Sequence, residues 1–243
     1  MKVKNNRPEK GFTLIESLIS LSLFLIIIIS SLEFLITVKE HFFQLKEDQE
    51  IDISAFAALD KMRIDIQDSG RGLLIPQKLK VVTSLELDGN TLTIRSKEKD
   101  LALSSDLVSG STQITLLSTS GVKKGQELSI HDRKKGETIV ILAVDKKSVV
   151  LTSPINFSYP QLTTEVVLVK KISFYRDQKS QILRRKVNSS PAQPLLEGVD
   201  SIVFSYEETS NLAIVNLKMP EERTYEISVF PKNLDLASPE GTE

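Results

Sequence analysis

The stretch Arg7–Ile29, RPEKGFTLIESLISLSLFLIIII, decides how the rest of the chain is read. From Phe12 to Val38 there are 27 residues with two charges, Glu16 and Glu33. About 20 helical residues rise ~30 Å, the thickness of a bilayer's hydrocarbon layer, so this segment is long and apolar enough to span one. Lys2, Lys4, Arg7 and Lys10 precede it, and the stretch from Lys39 to Glu50 is acidic on balance. The excess of basic residues ahead of the span predicts a cytoplasmic N-terminus, with everything past Val38 on the far side. A secretory signal peptide would need a small-residue cleavage site after the apolar run, and IISSLEF supplies two serines but no alanine. A plain signal anchor accounts for the length and the orientation. It leaves Glu16 unexplained, because a carboxylate inside an apolar span costs a few kcal/mol and is usually partnered.

Outward from this segment, no glycine or proline occurs between Gly11 and Gly70, which predicts one long helix whose second half leaves the membrane. Ala55, Leu59, Met62 and Ile66 follow i, i+4, i+7, i+11 spacing, an apolar stripe suited to packing on a sheet. DSGRGLLIP, with Gly70, Gly72 and Pro76, ends the helix. Beyond it β signals dominate. Ser84–Ser96 alternates around Asp88-Gly89-Asn90 as a hairpin. Short strand patterns with glycine turns fill residues 101–160 and read as a small inserted β subdomain. Thr164–Val187 is a second hairpin, NSSPAQPLLEG a loop, and three strands follow before a frayed tail. The expected fold class is α+β: a long N-terminal helix, membrane-spanning in its first half, packed on an antiparallel sheet.

Charges nearly cancel, 31 basic against 32 acidic, so binding to nucleic acid is not expected. The chain has no cysteine and two histidines, which excludes disulfides, thiolate metal sites and multi-histidine centres. No phosphate-binding loop, dinucleotide fingerprint, zinc-protease motif or nucleophile elbow is present, so neither an enzyme nor a cofactor is expected. His131 in HDRKKGE reads as part of a solvated turn, Asp65 and Asp68 as solvated charge, and Arg184–Lys186 as an exposed basic strand edge.

KGFTLIES, from Lys10 to Ser17, resembles the processing and assembly site of type IV prepilins and type II secretion pseudopilins. The resemblance implies cleavage by prepilin peptidase between Gly11 and Phe12 and N-methylation of Phe12. Glu16, the fifth residue after the cut, would guide subunit docking. In a bundle of apolar helices that carboxylate needs a cation, and the new amine at Phe12 of a neighbouring subunit would be one. The implied layout is a leader over residues 1–11, a membrane and assembly helix over 12–38, and a periplasmic domain over 39–243 with a β insertion at about 101–160. Ala58–Leu73 resembles the helix end of larger minor pilins and of the J-type minor pseudopilin. Gly110–Asp132, Leu195–Glu208 and Glu226–Leu234 resemble PilW-type minor pilins. Glu33 stands where many major pilins carry a proline, which weakens a major-subunit assignment slightly; the large domain with an insertion and its PilW-like pattern imply a minor subunit at the initiation or tip of a pilus or pseudopilus. Implied partners are the peptidase, the other minor subunits, the major subunit and the inner-membrane assembly platform. The competing reading from another class is a membrane-tethered periplasmic binding domain that never polymerises.

Overall fold

The computed structural model describes residues 13–234. Helix α1 runs from Leu14 to Gln67 without interruption, as the breaker-free run requires. The chain divides between Ile53 and Ser54 into two compact units, each taken by itself. In the first unit the helix is exposed along nearly all its length; Leu18, Phe24, Ile27 and Phe34 are all uncovered.

In the second unit the end of α1 packs on antiparallel sheet. Ala55, Leu59, Met62 and Ile66 are each at most 1% exposed, so the stripe faces the core. The helix stops where Gly70 takes φ +77° and its N–H donates to the Arg95 carbonyl at 2.8 Å. No side chain fits there: a Cβ on Gly70 would lie 2.3 Å from the Asn233 carbonyl oxygen. A short helix, α2 (Leu74–Lys78), follows.

Twelve strands come next: β1 (Leu85–Asp88), β2 (Thr91–Leu101), β3 (Gln113–Thr115), β4 (Glu127–His131), β5 (Gly136–Val144), β6 (Ser148–Leu151), β7 (Glu165–Asp177), β8 (Ile182–Val187), β9 (Gln193–Leu196), β10 (Ser201–Glu207), β11 (Leu212–Lys218) and β12 (Thr224–Val229). The first nine form one sheet, ordered β1-β2-β7-β4-β5-β6-β3, with β8 also on β7 and β9 on β8. The last three form a separate meander, β10-β11-β12.

The 13-residue β7 organises the large sheet. Along one edge it pairs β2 from Val166 to Tyr175. Along the other it pairs β4 over Glu165–Val169 and β8 over Ile172–Asp177. Strands β4, β5, β6 and β3 thus share one half of β7, and β8 and β9 the other. The run Val166–Val169 does not alternate because both faces are covered. Val166 and Leu168 join a cluster with Leu128, Ile130, Ile141 and Tyr159. Val167 and Val169 join Leu73, Val81 and Val82 from the segment around α2.

Four sequence expectations are corrected. NSSPAQPLLEG contains β9, a real partner of β8, because two-sided pairing through β7 gives that stretch a neighbour. Asp65 is not solvated: it is 5% exposed, and Arg185 Nε donates to its Oδ2 at 2.7 Å. Arg184–Lys186 is accordingly not a free edge, since Arg185 locks the helix end to β8 and Arg184 pairs Asp177 at 3.0 Å. Finally, His131 closes β4 and is 2% exposed rather than lying in a solvated turn.

A second, half-buried polar group ties the sheet. Arg95 on β2 donates to Glu127 on β4 at 2.8 Å and to Glu86 at 2.7 Å, and Lys171 on β7 reaches Glu127 at 2.9 Å. Burial opposes ionisation of Glu127, but the hydrogen bonds from Arg95 and Lys171 outweigh it and hold that carboxyl below its ordinary range.

Candidate processing and assembly site

Gly11 and Phe12, the expected cleavage and methylation positions, lie outside the described residues, as does the whole leader 1–11. The described chain opens at Thr13, directly before α1, and Glu16 sits in the first turn. Thr13 and Glu16 face each other reciprocally. The Thr13 N–H and hydroxyl both donate to Glu16 Oε2 at 3.4 Å, and the Glu16 N–H donates back to Thr13 Oγ1 at 3.4 Å. This is the threonine-x-x-glutamate capping box, with long and therefore weak bonds. A carboxylate here also meets the positive end of the helix dipole. The Thr13-to-Glu16 spacing was readable in the sequence, yet the sequence reading assigned Glu16 to docking alone. Within one chain the carboxylate has a local task, and a simple tether has some use for it.

The helix beyond Glu16 suits a lipid environment in its details. Ser22 donates to the Leu18 carbonyl at 2.7 Å, Ser31 to Ile27 at 2.7 Å and Thr37 to Glu33 at 3.0 Å. Each hydroxyl returns to the helix four residues back, so none of the three needs water. From Leu14 to Leu32 the rise is ~28 Å, which brings Glu33 to about the far edge of a hydrocarbon layer. The apolar window of α1 has none of its residues buried within the chain. Past the span, Phe42, Phe43 and Leu45 are exposed in the first unit, and Phe56 and Ile64 in the second.

Other chemistry is sparse. Among the described residues no group of three or more His, Asp or Glu side chains could hold a metal ion. Asp68, one turn from Asp65, pairs with Arg71 at 3.4 Å, so the two carboxylates do not form a site. His131 lies in strand β4 of the second unit, opposite Glu165.

A family model, the prokaryotic N-terminal methylation motif, matches residues 6–32. The match covers the end of the leader with Arg7 and Lys10, then Gly11, Phe12, Glu16 and most of the apolar run, and supports the type IV pilin and pseudopilin family for this end of the chain. It fits anchoring in the inner membrane, and the motif's family is structural rather than enzymatic. No curated protein matches the chain. Among solved structures, the Gp54 tailspike of Acinetobacter baumannii bacteriophage AP22, in complex with capsular saccharide, aligns with 19% identity and a TM-score of 0.29. That alignment covers 32% of this chain and 15% of the tailspike, too little to carry an argument.

Proposed function

We propose that this chain is a minor pilin or pseudopilin that is cut by prepilin peptidase after Gly11, methylated at Phe12 and assembled at the initiation point or tip of a type IV pilus or type II secretion pseudopilus. On this reading residues 1–11 are the leader, 12–38 the membrane and assembly helix, and 39–243 the exported domain, with the N-terminus cytoplasmic. The observation that carries it is the methylation motif over residues 6–32, with glycine, phenylalanine and glutamate in register ahead of an exposed apolar helix. Support for assembly over simple tethering comes from beyond the span. Phe42, Phe43, Leu45, Phe56 and Ile64 would stand in water on a tether, whereas neighbouring subunits would cover them. Its partners are the peptidase, the other minor subunits, the major subunit and the assembly platform.

Mass spectrometry of the N-terminal peptide tests processing. The expected result is a chain beginning at N-methylated Phe12, abolished by the bulky Gly11→Leu; a start at Met1 or near Ser31 overturns the reading.

The capping box sharpens the test of assembly. Glutamine caps nearly as well as glutamate. Glu16→Gln therefore keeps the local bond while removing the charge a neighbour's amine requires. Export and cleavage are expected to persist, with the subunit lost from sheared filaments or the filament number reduced. Unchanged incorporation of Glu16→Gln would assign Glu16 to capping alone, whereas absence of the wild-type chain from sheared filaments, with filament number unaffected by its loss, would favour the tethered binding domain.

A further inference from the structure

His131 is the one buried imidazole among the described residues, and none of the foregoing uses it. It lies at the end of β4, directly across from Glu165 on β7 and Gly136 on β5. On this face of the sheet sits the segment 73–84, which leads from the end of α1 through α2 to β1. Val81 and Val82 of that segment pack with Val167 and Val169, and Thr138 on β5 donates to the Val81 carbonyl at 3.0 Å. Gly136 shows how tight the seat is: a Cβ there would lie 2.9 Å from His131 Cβ and 3.3 Å from Val81 Cγ2. The segment is also tied to the helix end, since Ser69 Oγ donates to the Ser84 carbonyl at 2.9 Å.

The imidazole is poorly provided for as a cation. Nε2 lies 3.5 Å from Glu165 Oε2, and the side chain of Glu165 is 64% exposed. Nδ1 is buried with no hydrogen-bond partner. A neutral ring can leave Nδ1 as a bare acceptor. A protonated ring puts an N–H, and a charge, where nothing receives it. We propose that His131 is an acid-sensitive latch, seating segment 73–84 on the sheet while neutral and loosening it when protonated.

The surrounding charges do not cancel this. On β4 itself Glu127 is engaged by Arg95 and Lys171, and Asp132 in the adjoining turn accepts from the N–H groups of Lys134 and Lys135. On β2 Asp100 is paired with Lys97 at 3.0 Å. Segment 73–84 brings only the cations Lys78 and Lys80. On β5 Gly136 carries no charge, and Glu137 is bonded by the Asn156 and Phe157 N–H groups. Lys135 Nζ lies over the Tyr159 ring, 5.2 Å from its centre. Burial, the largest influence, pulls the imidazole below its ordinary 6.5, outweighing the upward pull of Glu165, Asp132 and Asp100. A folded-state value below the unfolded one means that this stability is fully present above pH 6.5 and drains away as pH falls from there toward the folded value. The latch requires no assumption about export or assembly.

Hydrogen exchange on the full chain in detergent micelles tests it. The amides of Leu79, Lys80 and Val81, bonded to the carbonyls of Ile75, Gln77 and Pro76, report the seat. After correction for intrinsic exchange, their protection is expected to fall below pH 6.5 by up to about tenfold per pH unit, the signature of one proton. His131→Gln, which cannot charge, should flatten that dependence. Glu165→Gln, which removes the nearest carboxylate, should deepen it. A parallel fall in wild type and His131→Gln overturns the proposal. Should His131→Gln not fold, the wild-type ring resonance decides, with His41 as the chain's other histidine: titration of His131 at or above 6.5 sinks the latch, and titration below it sustains it.

Discussion

Glu16 and Asp65 are carboxylates on the same helix, and the two could hardly be placed more differently. Glu16 is exposed in the first turn, and its bonds among the described residues are the long ones to Thr13. Asp65 is buried in the second unit, with Arg185 Nε at 2.7 Å and Lys61 Nζ at 3.6 Å. A carboxylate that the folded chain has not fully satisfied is available to something outside the chain. One closed by an arginine on a neighbouring strand belongs to the fold. The contrast separates the part of the helix that serves the domain from the part that serves its surroundings.

Three single substitutions, the first with a double variant beside it, probe this contrast, in decreasing order of their cost to the folded domain. Asp65→Ala leaves the half-buried Arg185 without its carboxylate, and a denaturant melt should show a loss of up to about 3–5 kcal/mol, the range for breaking a fully buried pair. The double variant Asp65→Leu with Arg185→Met should recover most of that, because apolar side chains of similar size replace a buried pair at little net cost. Failure to recover would mean that the pair sets the geometry of the helix on β8 rather than only its charge balance. Leu59→Ala, in the buried stripe, should cost about 2–5 kcal/mol by the cavity it leaves. A loss near zero would place the stripe against solvent. Glu16→Gln should leave the melt of the domain unchanged while removing the subunit from filaments. A domain melt that shifts with Glu16→Gln would erase the distinction between the two acids.

Much of the architecture is local and therefore legible. The run from Phe12 to Ser69 holds no glycine or proline, so nothing in it stops a helix, and α1 fills nearly all of it. The stripe of Ala55, Leu59, Met62 and Ile66 follows from helical spacing, and all four are buried. The hairpin around Gly89 and Asn90 pairs Leu85 with Ile94 and Leu87 with Leu92, as the alternation implied. The threonine-x-x-glutamate cap was equally local, and was missed because the more specific methylation motif overlies it.

The amino-acid sequence by itself thus determined the helix, its stop at Gly70, the hairpins and the motif ahead of the apolar run, all of which rest on residues a few positions apart. Only the tertiary structure decided which charges are buried and which strands share a neighbour. Asp65 meets Arg185 across 120 positions, and Val81 comes back onto β5, beside the Gly136 that faces His131, because the segment after α1 returns to the sheet. The four consecutive buried residues of β7 show no alternation, since one face serves each of two clusters. Periodicity reports one covered face, whereas a partner brought by chain topology from far along the sequence leaves no local trace.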